Sequence, residues 1–307
     1  MTWNPRALPR QDGRTVVVTG GNAGIGYFTS EQLARAGARV VIASRSREKT
    51  ERAMAALRGR VPGAEVSFVE LDIASFASIR RAAAELRQLG PIAALINNAG
   101  QVIPPGRRRE TADGLELLVG GNAIGHFLLT ALVFPALEPT GRVVGLGSLS
   151  TRLVKLAPDD LLSTRTYRGF RAYAFSKHAV HGFAFELDRR LRAAGDSRAS
   201  LLAHPGYAVS ELAERVPGVN DRQSTPHRLV GFLSAPFAQG KDRGAWPSVR
   251  AAIDPDAQSG EFYGPGGMSE LKGAPRIVAP VTSSASPEFG ARLWALAEEA
   301  TGESFSI

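Results

Sequence analysis

Apolar residues come in short unbroken runs along the first two hundred residues, separated by longer stretches dominated by alanine, leucine and charged residues. Thr15-Val16-Val17-Val18 and Arg39-Val40-Val41-Ile42 are apolar without alternation, the pattern of strands covered on both faces. Strands are predicted at 15–19, 39–43, 65–71, 93–97, 142–146 and 200–203, and helices at 25–36, 47–58, 75–89, 114–137 and 170–194. This β-α-β alternation implies an α/β fold: a doubly wound parallel sheet of about seven strands with helices on both faces. Beyond Gly206 prolines become frequent. There the pattern predicts one or two short helices over the open sheet edge, a late strand near Glu261-Phe262-Tyr263 and a helix at 287–300. The serine-rich stretch 281–286 between them is expected to be mobile. No internal repeat or linker divides the chain. It reads as a single domain over 1–307, with a cofactor-binding and catalytic core at 14–206, a substrate-binding segment at about 207–268, and a C-terminal helix and tail at 281–307.

Composition narrows the chemistry. The 307 residues are 44% hydrophobic, enough for a substantial core, and contain no cysteine, which removes disulfides, thiolate metal sites and cysteine nucleophiles. The formal charge of +8 raises nucleic acid as a partner. The arginines are scattered along predicted helices, however, and the one tight cluster, Arg107-Arg108-Arg109, has no interleaved aromatics, so a solvated basic surface is the better reading. Residues 1–13 lack the apolar run of a secretory signal. The longest nearly apolar stretch, 115–137, carries Glu116, Asn122, His126 and three glycines, and reads as a buried or interface helix rather than a membrane span. A cytoplasmic location is the default expectation.

The first strand runs directly into Thr19-Gly20-Gly21-Asn22-Ala23-Gly24-Ile25-Gly26, which opens the first helix. Gly20 permits the turn, Gly24 lets backbone approach a diphosphate, Gly26 lets helix pack on strand, and the helix N-terminus faces the negative charge. After the second strand, Ala43-Ser44-Arg45-Ser46-Arg47 offers no carboxylate before Glu48. Arg45, helped by the Ser44 hydroxyl, can pair with a 2′-phosphate, so NADP(H) is favoured over NAD(H). Further on, Tyr173 and Lys177 stand four apart in a helical stretch and therefore share a face. A neighbouring ammonium lowers a phenol's pKa from about 10 toward the range of general acid–base work.

With these motifs in order, the chain resembles the short-chain dehydrogenase/reductase family over about residues 14 to 210. The shared features are the Thr-Gly-x-x-x-Gly-Ile-Gly turn, Leu71-Asp72, Asn97-Asn98-Ala99-Gly100, Asn122, Ser148, Tyr173-x-x-x-Lys177 and Pro205-Gly206. The strings around 122–130 and 204–206 are most similar to the retinol-dehydrogenase-like branch. The resemblance implies a Rossmann-like domain and an NAD(P)-dependent oxidoreductase that interconverts a carbonyl and an alcohol. It implies Tyr173 as general acid/base, Ser148 on the reacting oxygen, Lys177 on the nicotinamide ribose, and Asn122 positioning a water that links Lys177 to solvent. It further implies cofactor contacts from Gly20, Asn22, Gly24, Ile25, Gly26, Ser44, Arg45, Asp72, Ile73, Asn98, Ala99, Gly100, Tyr173, Lys177, Pro205, Gly206 and Ser210. Asp72 would bond the adenine amino group, although a carboxylate there also suits a helix start. A non-catalytic nucleotide sensor on the same fold is the alternative; intact Ser148, Tyr173 and Lys177 argue against it.

The sequence departs from the family at Gly147, where a serine commonly precedes Ser148, and at Gly120-Gly121, which are expected to assist a bend around Asn122. His178 and His181 are read as packed residues rather than metal ligands. The apolar faces of 115–137 and 179–185 are candidates for subunit contact in a homodimer or homotetramer, and would look the same if they were core. Phe232, Phe237, Trp246 and Phe262 are candidate walls of an apolar pocket for a small-molecule carbonyl or alcohol, and could equally be core.

Overall fold

The computed structural model describes residues 3–5, 7–102, 106–220 and 235–307. Among these, eight strands form one sheet in the order β10-β9-β6-β5-β4-β1-β2-β3. They are β1 (Thr15–Thr19), β2 (Arg39–Ser44), β3 (Val66–Glu70), β4 (Ile92–Asn97), β5 (Leu137–Leu146), β6 (Ala199–Ala203), β9 (Phe262–Pro265) and β10 (Pro275–Ile277). All neighbours pair in parallel except β10, which runs antiparallel to β9 and forms the extra edge that the sequence pattern did not show. The short run Pro275-Arg276-Ile277 has two exposed residues of three, too little apolar content to register as a strand.

The unbroken apolar runs have a direct structural cause. Val16 and Val18 face one core cluster with Tyr27, Leu33 and Val249, while Val17 faces the other with Ile79, Phe127 and Leu187. Successive side chains of a strand point to opposite faces, so a strand covered twice has no polar side. The first face is covered by α1 (Gly24–Arg35), α2 (Arg47–Arg60) and, later in the chain, α9 (Trp246–Ile253). The second is covered by α3 (Phe76–Arg87), α5 (Gly125–Val133), α7 (Gly169–Ala194) and α10 (Pro287–Thr301).

The expected single helix over 114–137 is interrupted. A short α4 (Leu117–Val119) leads into a π-helical turn at Gly120–Ile124 before α5. The bend sits around Asn122 as expected, and π-turns inside helices redirect carbonyls that would otherwise be spent internally. At its exit a Cβ on Gly125 would collide with the Ile73 carbonyl. The 20-residue segment Leu117–Ala136 is apolar enough to cross a membrane, but 83% of its most apolar window is buried within the fold.

Two expectations change here. The stretch 281–286 is tied down: Ser284 is fully buried and its hydroxyl lies 2.6 Å from His178 Nδ1. The apolar faces of α5 and α7 are covered by the chain's own C-terminal segment. Phe127 meets Trp294 edge-on at 5.1 Å and Phe183 at 5.5 Å, and Phe305 closes the cluster against Phe134 at 5.0 Å. These faces are therefore core, and their apolarity carries no information about subunits.

Candidate active site

The C-terminal ends of β1, β4, β5 and β6 meet where the strand order reverses between β4 and β1, the usual place for a ligand crevice in an open α/β sheet. Ser148 follows β5 by two residues, and Tyr173 and Lys177 come from the face of α7 turned toward it. The three converge. The Lys177 ammonium donates to the Leu146 carbonyl at 2.7 Å and lies 5.9 Å from the centre of the Tyr173 ring, while the Ser148 hydroxyl hydrogen-bonds the phenol.

The electrostatics differ from the sequence expectation. Burial pushes the Tyr173 phenol above its usual value, and only the Ser148 hydrogen bond pulls it back. Lys177, buried, is itself lowered to about 8 by desolvation. The ammonium spends a proton on a strand carbonyl instead of standing against the phenolate position, so in this state burial outweighs charge–charge attraction. A raised pKa keeps the phenol protonated at neutral pH.

Asn122 is held on two sides. Its side-chain amide donates to the Ser176 hydroxyl at 3.0 Å and to the Gln101 carbonyl at 3.2 Å, and its Oδ1 accepts from Gln101 N–H at 2.9 Å. Ser176 in turn donates to the Tyr173 carbonyl at 2.7 Å. Asn122 thus pins the loop after β4 to the catalytic helix. Its backbone carbonyl accepts from His126 Nδ1 at 2.9 Å, which leaves His126 Nε2 to accept from the Thr19 hydroxyl at 3.0 Å. Thr19 completes the link by accepting from Ala99 N–H at 2.8 Å. Buried His126, lowered to about 4 by desolvation, stays neutral and so keeps this donor–acceptor sense. His126, Thr19, Gln101 and Ser176 were not singled out as site residues from the sequence. The one available signal was His126 standing one helical turn after Asn122.

The glycine turn fits a dinucleotide's diphosphate. Gly20 and Gly24 have φ of 66° and 56°, a left-handed backbone that glycine adopts freely. A Cβ on Gly26 would collide with the Gly20 carbonyl and the Asn98 amide, which itself donates to the Thr19 carbonyl at 2.7 Å. The N-cap of α1 is Ala23, with no side chain capping the first turn, so its N–H groups are left for a ligand. Asn22 and Ile25 are partly exposed beside it. A cavity of about 680 Å³ opens against Ala23 and Gly24, with Arg52, Ser210 and Lys241 on its walls.

At the ribose end the expected pair divides. Arg45 is exposed at the end of β2 and available to an anion. Ser44 is not: it is buried, its hydroxyl lies 2.6 Å from that of Thr50, and Thr50 donates to the Ser46 carbonyl. Ser44 must therefore donate inward to Thr50. Asp72 shows the helix-start behaviour, accepting from Ala74 N–H at 3.0 Å. Ile73 lies with its carbonyl against Gly125, and Gly100 packs beside the Asn122 amide.

Gly147 has a local reason. A Cβ there would collide with Nε2 of His181, a fully buried ring that makes no hydrogen bond and packs edge-on to Phe262 at 5.0 Å. Phe262 is therefore core rather than pocket wall. Phe237 is exposed, Trp246 is half-buried under Arg243, and Phe232 lies outside the described residues. After β6, His204 Nδ1 accepts from Gly206 N–H, so its Nε2 donates to Glu270 at 3.1 Å. Arg152, four residues past Ser148, also donates to Glu270, at 2.8 Å. Pro205, Gly206 and Ser210 thus sit on a segment latched to the serine side of the site.

A profile of the short chain dehydrogenase family matches residues 14–216. Polyprenol dehydrogenase of Mus musculus is 37% identical, with the alignment covering 98% of this chain and 87% of the relative. Retinol dehydrogenase 13 of Homo sapiens is 35% identical over 92% and 83% of the two chains. The crystal structure of an uncharacterised protein from Mycobacterium paratuberculosis superposes with a TM-score of 0.80 at 33% identity, covering both chains entirely. The chain belongs to the short-chain dehydrogenase/reductase family, in its retinol-dehydrogenase-like branch.

Proposed function

We propose that this short-chain dehydrogenase is an NADP(H)-dependent oxidoreductase that interconverts an apolar carbonyl compound and its alcohol. The observation that carries this reading is the convergence of the Ser148 hydroxyl, the Tyr173 phenol and the Lys177 ammonium beside the end of β5. A protonated phenol is the form that donates to a carbonyl oxygen. Ser148 and Tyr173 face one oxygen; the serine orients it and steadies developing charge while the phenol delivers the proton. Lys177 lends positive charge to the resulting phenolate and would hold the nicotinamide ribose. When bound, the nicotinamide supplies the hydride. Asn122 acts as a positioning residue through Gln101 and Ser176.

Arg45, exposed just after β2 in a run with no carboxylate before Glu48, supports NADP(H). Polyprenol and retinol dehydrogenases among the relatives point to a long apolar alcohol or aldehyde. Exposed Leu153 and Met268 lie on the two segments that the Arg152–Glu270 bridge holds together, and suit such a chain.

The test is NADPH consumption with a panel of long-chain aldehydes and ketones, NADH in parallel, using wild type and Tyr173→Phe. The expected result is a loss of turnover of at least about a hundredfold in the variant, with cofactor binding retained. Near-wild-type turnover in Tyr173→Phe would contradict the assignment.

A further inference from the structure

The glycine turn supplies backbone N–H groups but no cation, since Thr19 to Gly26 contains neither lysine nor arginine. A dinucleotide's diphosphate carries two negative charges, and Arg45 stands at the other end of the cofactor's expected path. The missing charge comes from a distant part of the chain. Lys241 extends over the turn so closely that its Cδ and Nζ would both lie 3.6 Å from a Cβ placed on Gly24. It shares with Ala23 and Gly24 the wall of the same 680 Å³ cavity.

Its backbone is held from three sides. A two-stranded parallel ribbon, β7 (Ala208–Val209) with β8 (Gln239–Gly240), ends immediately before it. Gln239 donates to the Pro205 carbonyl at 2.9 Å, and from α1 Gln32 donates to the Asp242 carbonyl at 3.0 Å. The short helix α8 (Lys241–Gly244) then turns away, with Gly244 against Ala208. The side chain is thus placed at the α1 N-terminus by a segment bonded both to the loop after β6 and to α1.

What the ammonium lacks is a partner. Among the described residues it makes no hydrogen bond and no ion pair; Glu211 attracts it from beyond ion-pair distance, and burial lowers its pKa. A half-buried cation with no ion-paired carboxylate among the described residues, beside an uncapped helix N-terminus, is a group arranged for an anion that arrives from outside, with Glu211 on the same cavity wall only a distant counter-charge.

We propose that Lys241 binds the cofactor's diphosphate, reaching over the glycine turn beside the N-terminus of α1 and coupling cofactor occupancy to the segment that follows β6. The inference rests on the dinucleotide reading given above.

The experiment is equilibrium binding, by ligand fluorescence and calorimetry, of NADPH, NADH and inorganic pyrophosphate to wild type, Lys241→Met and Lys241→Arg. The diphosphate is common to both dinucleotides. Lys241→Met should therefore weaken NADPH and NADH by the same factor, about tenfold or more, and pyrophosphate with them. Lys241→Arg should stay within about threefold of wild type, since the charge is kept. Unchanged affinities in Lys241→Met overturn the inference. So does a loss confined to NADPH, which would place the ammonium at the 2′-phosphate instead. Wild-type protein that binds neither dinucleotide overturns the cofactor reading itself, and this inference with it; the wild-type titration thus separates the two failures.

Discussion

The glycine at 147 shows how a single position can be set by a neighbour that no local pattern reveals. The family commonly carries serine there, and the space it would need is filled by the His181 ring. His181 lies on the catalytic helix, both nitrogens unpaired, in a packed apolar setting with Phe262. Introducing a side chain into a packed core costs roughly 1–3 kcal/mol. Gly147→Ser should therefore destabilise by about 2–3 kcal/mol and reduce turnover by displacing Ser148. His181→Ala made in the same chain should recover part of that loss, so the pair is less destabilised than the sum of the singles. Thermal denaturation of the three variants measures this, and additive losses would show the two residues to be uncoupled. The same scale explains why the Ser44 hydroxyl turns inward. A serine at a strand end is equally good at bonding inward, and the nearby Thr50 hydroxyl decides the matter.

Between elements, the site is assembled by side chains that bridge segments far apart in sequence. The bend of the fourth helix was legible from Gly120-Gly121, because glycines beside an asparagine suggest a break in regular helix. The use made of it was not: His126, Thr19 and Ala99 link the bend to the nucleotide end only once β1 and β4 lie side by side. The latch over the substrate side is similar. Ser269 and Glu270 both adopt left-handed φ, at 52° and 57°, a conformation costing of order 1 kcal/mol for such residues. Burial alone would raise the Glu270 carboxyl, yet its hydrogen bond from His204 and the charge of Arg152 hold it below the usual range. The two positions should therefore respond differently to glycine. Ser269→Gly relieves the backbone and should change stability by no more than about 0.5 kcal/mol, whereas Glu270→Gly removes the latch and should cost about 2 kcal/mol. Chemical denaturation distinguishes them; equal responses would reduce Glu270 to backbone strain alone.

For the molecule as a whole, ionisation tilts stability toward alkaline pH. His126, His178, His181 and His204 are all buried, and desolvation lowers each of them, His126 to about 4. Unfolded histidines take up protons near 6.5 while these do not, so the unfolded chain binds more protons below that pH and stability falls as the solution is acidified. His126 alone accounts for about 3 kcal/mol between pH 6.5 and 4, on the basis of roughly 1.4 kcal/mol per pH unit. Lys177, lowered to about 8, acts with the same sign at higher pH, and the formal charge of +8 adds repulsion as acid raises it. The melting temperature should drop by several degrees between pH 7.5 and 5.5, and a flat profile over that interval would contradict the neutral buried histidines.

The sequence by itself determined the layered α/β architecture, the order of its strands and helices, and the motif positions at 20–26, 148, 173 and 177. Each of these is written in local terms: runs of apolar residues, glycines at a turn, and a four-residue spacing on one helix face. Only the tertiary structure decided what each polar group does with its hydrogen bonds. It turned Ser44 inward, gave Asn122 to Gln101 and Ser176, set the Tyr173 phenol above its ordinary value, and brought Lys241 across the glycine turn. The physical reason is that burial and partner choice depend on atoms that the fold brings together from other elements, from six residues away at Ser44 to more than two hundred at Lys241, while periodicity reports only which side of an element is dry.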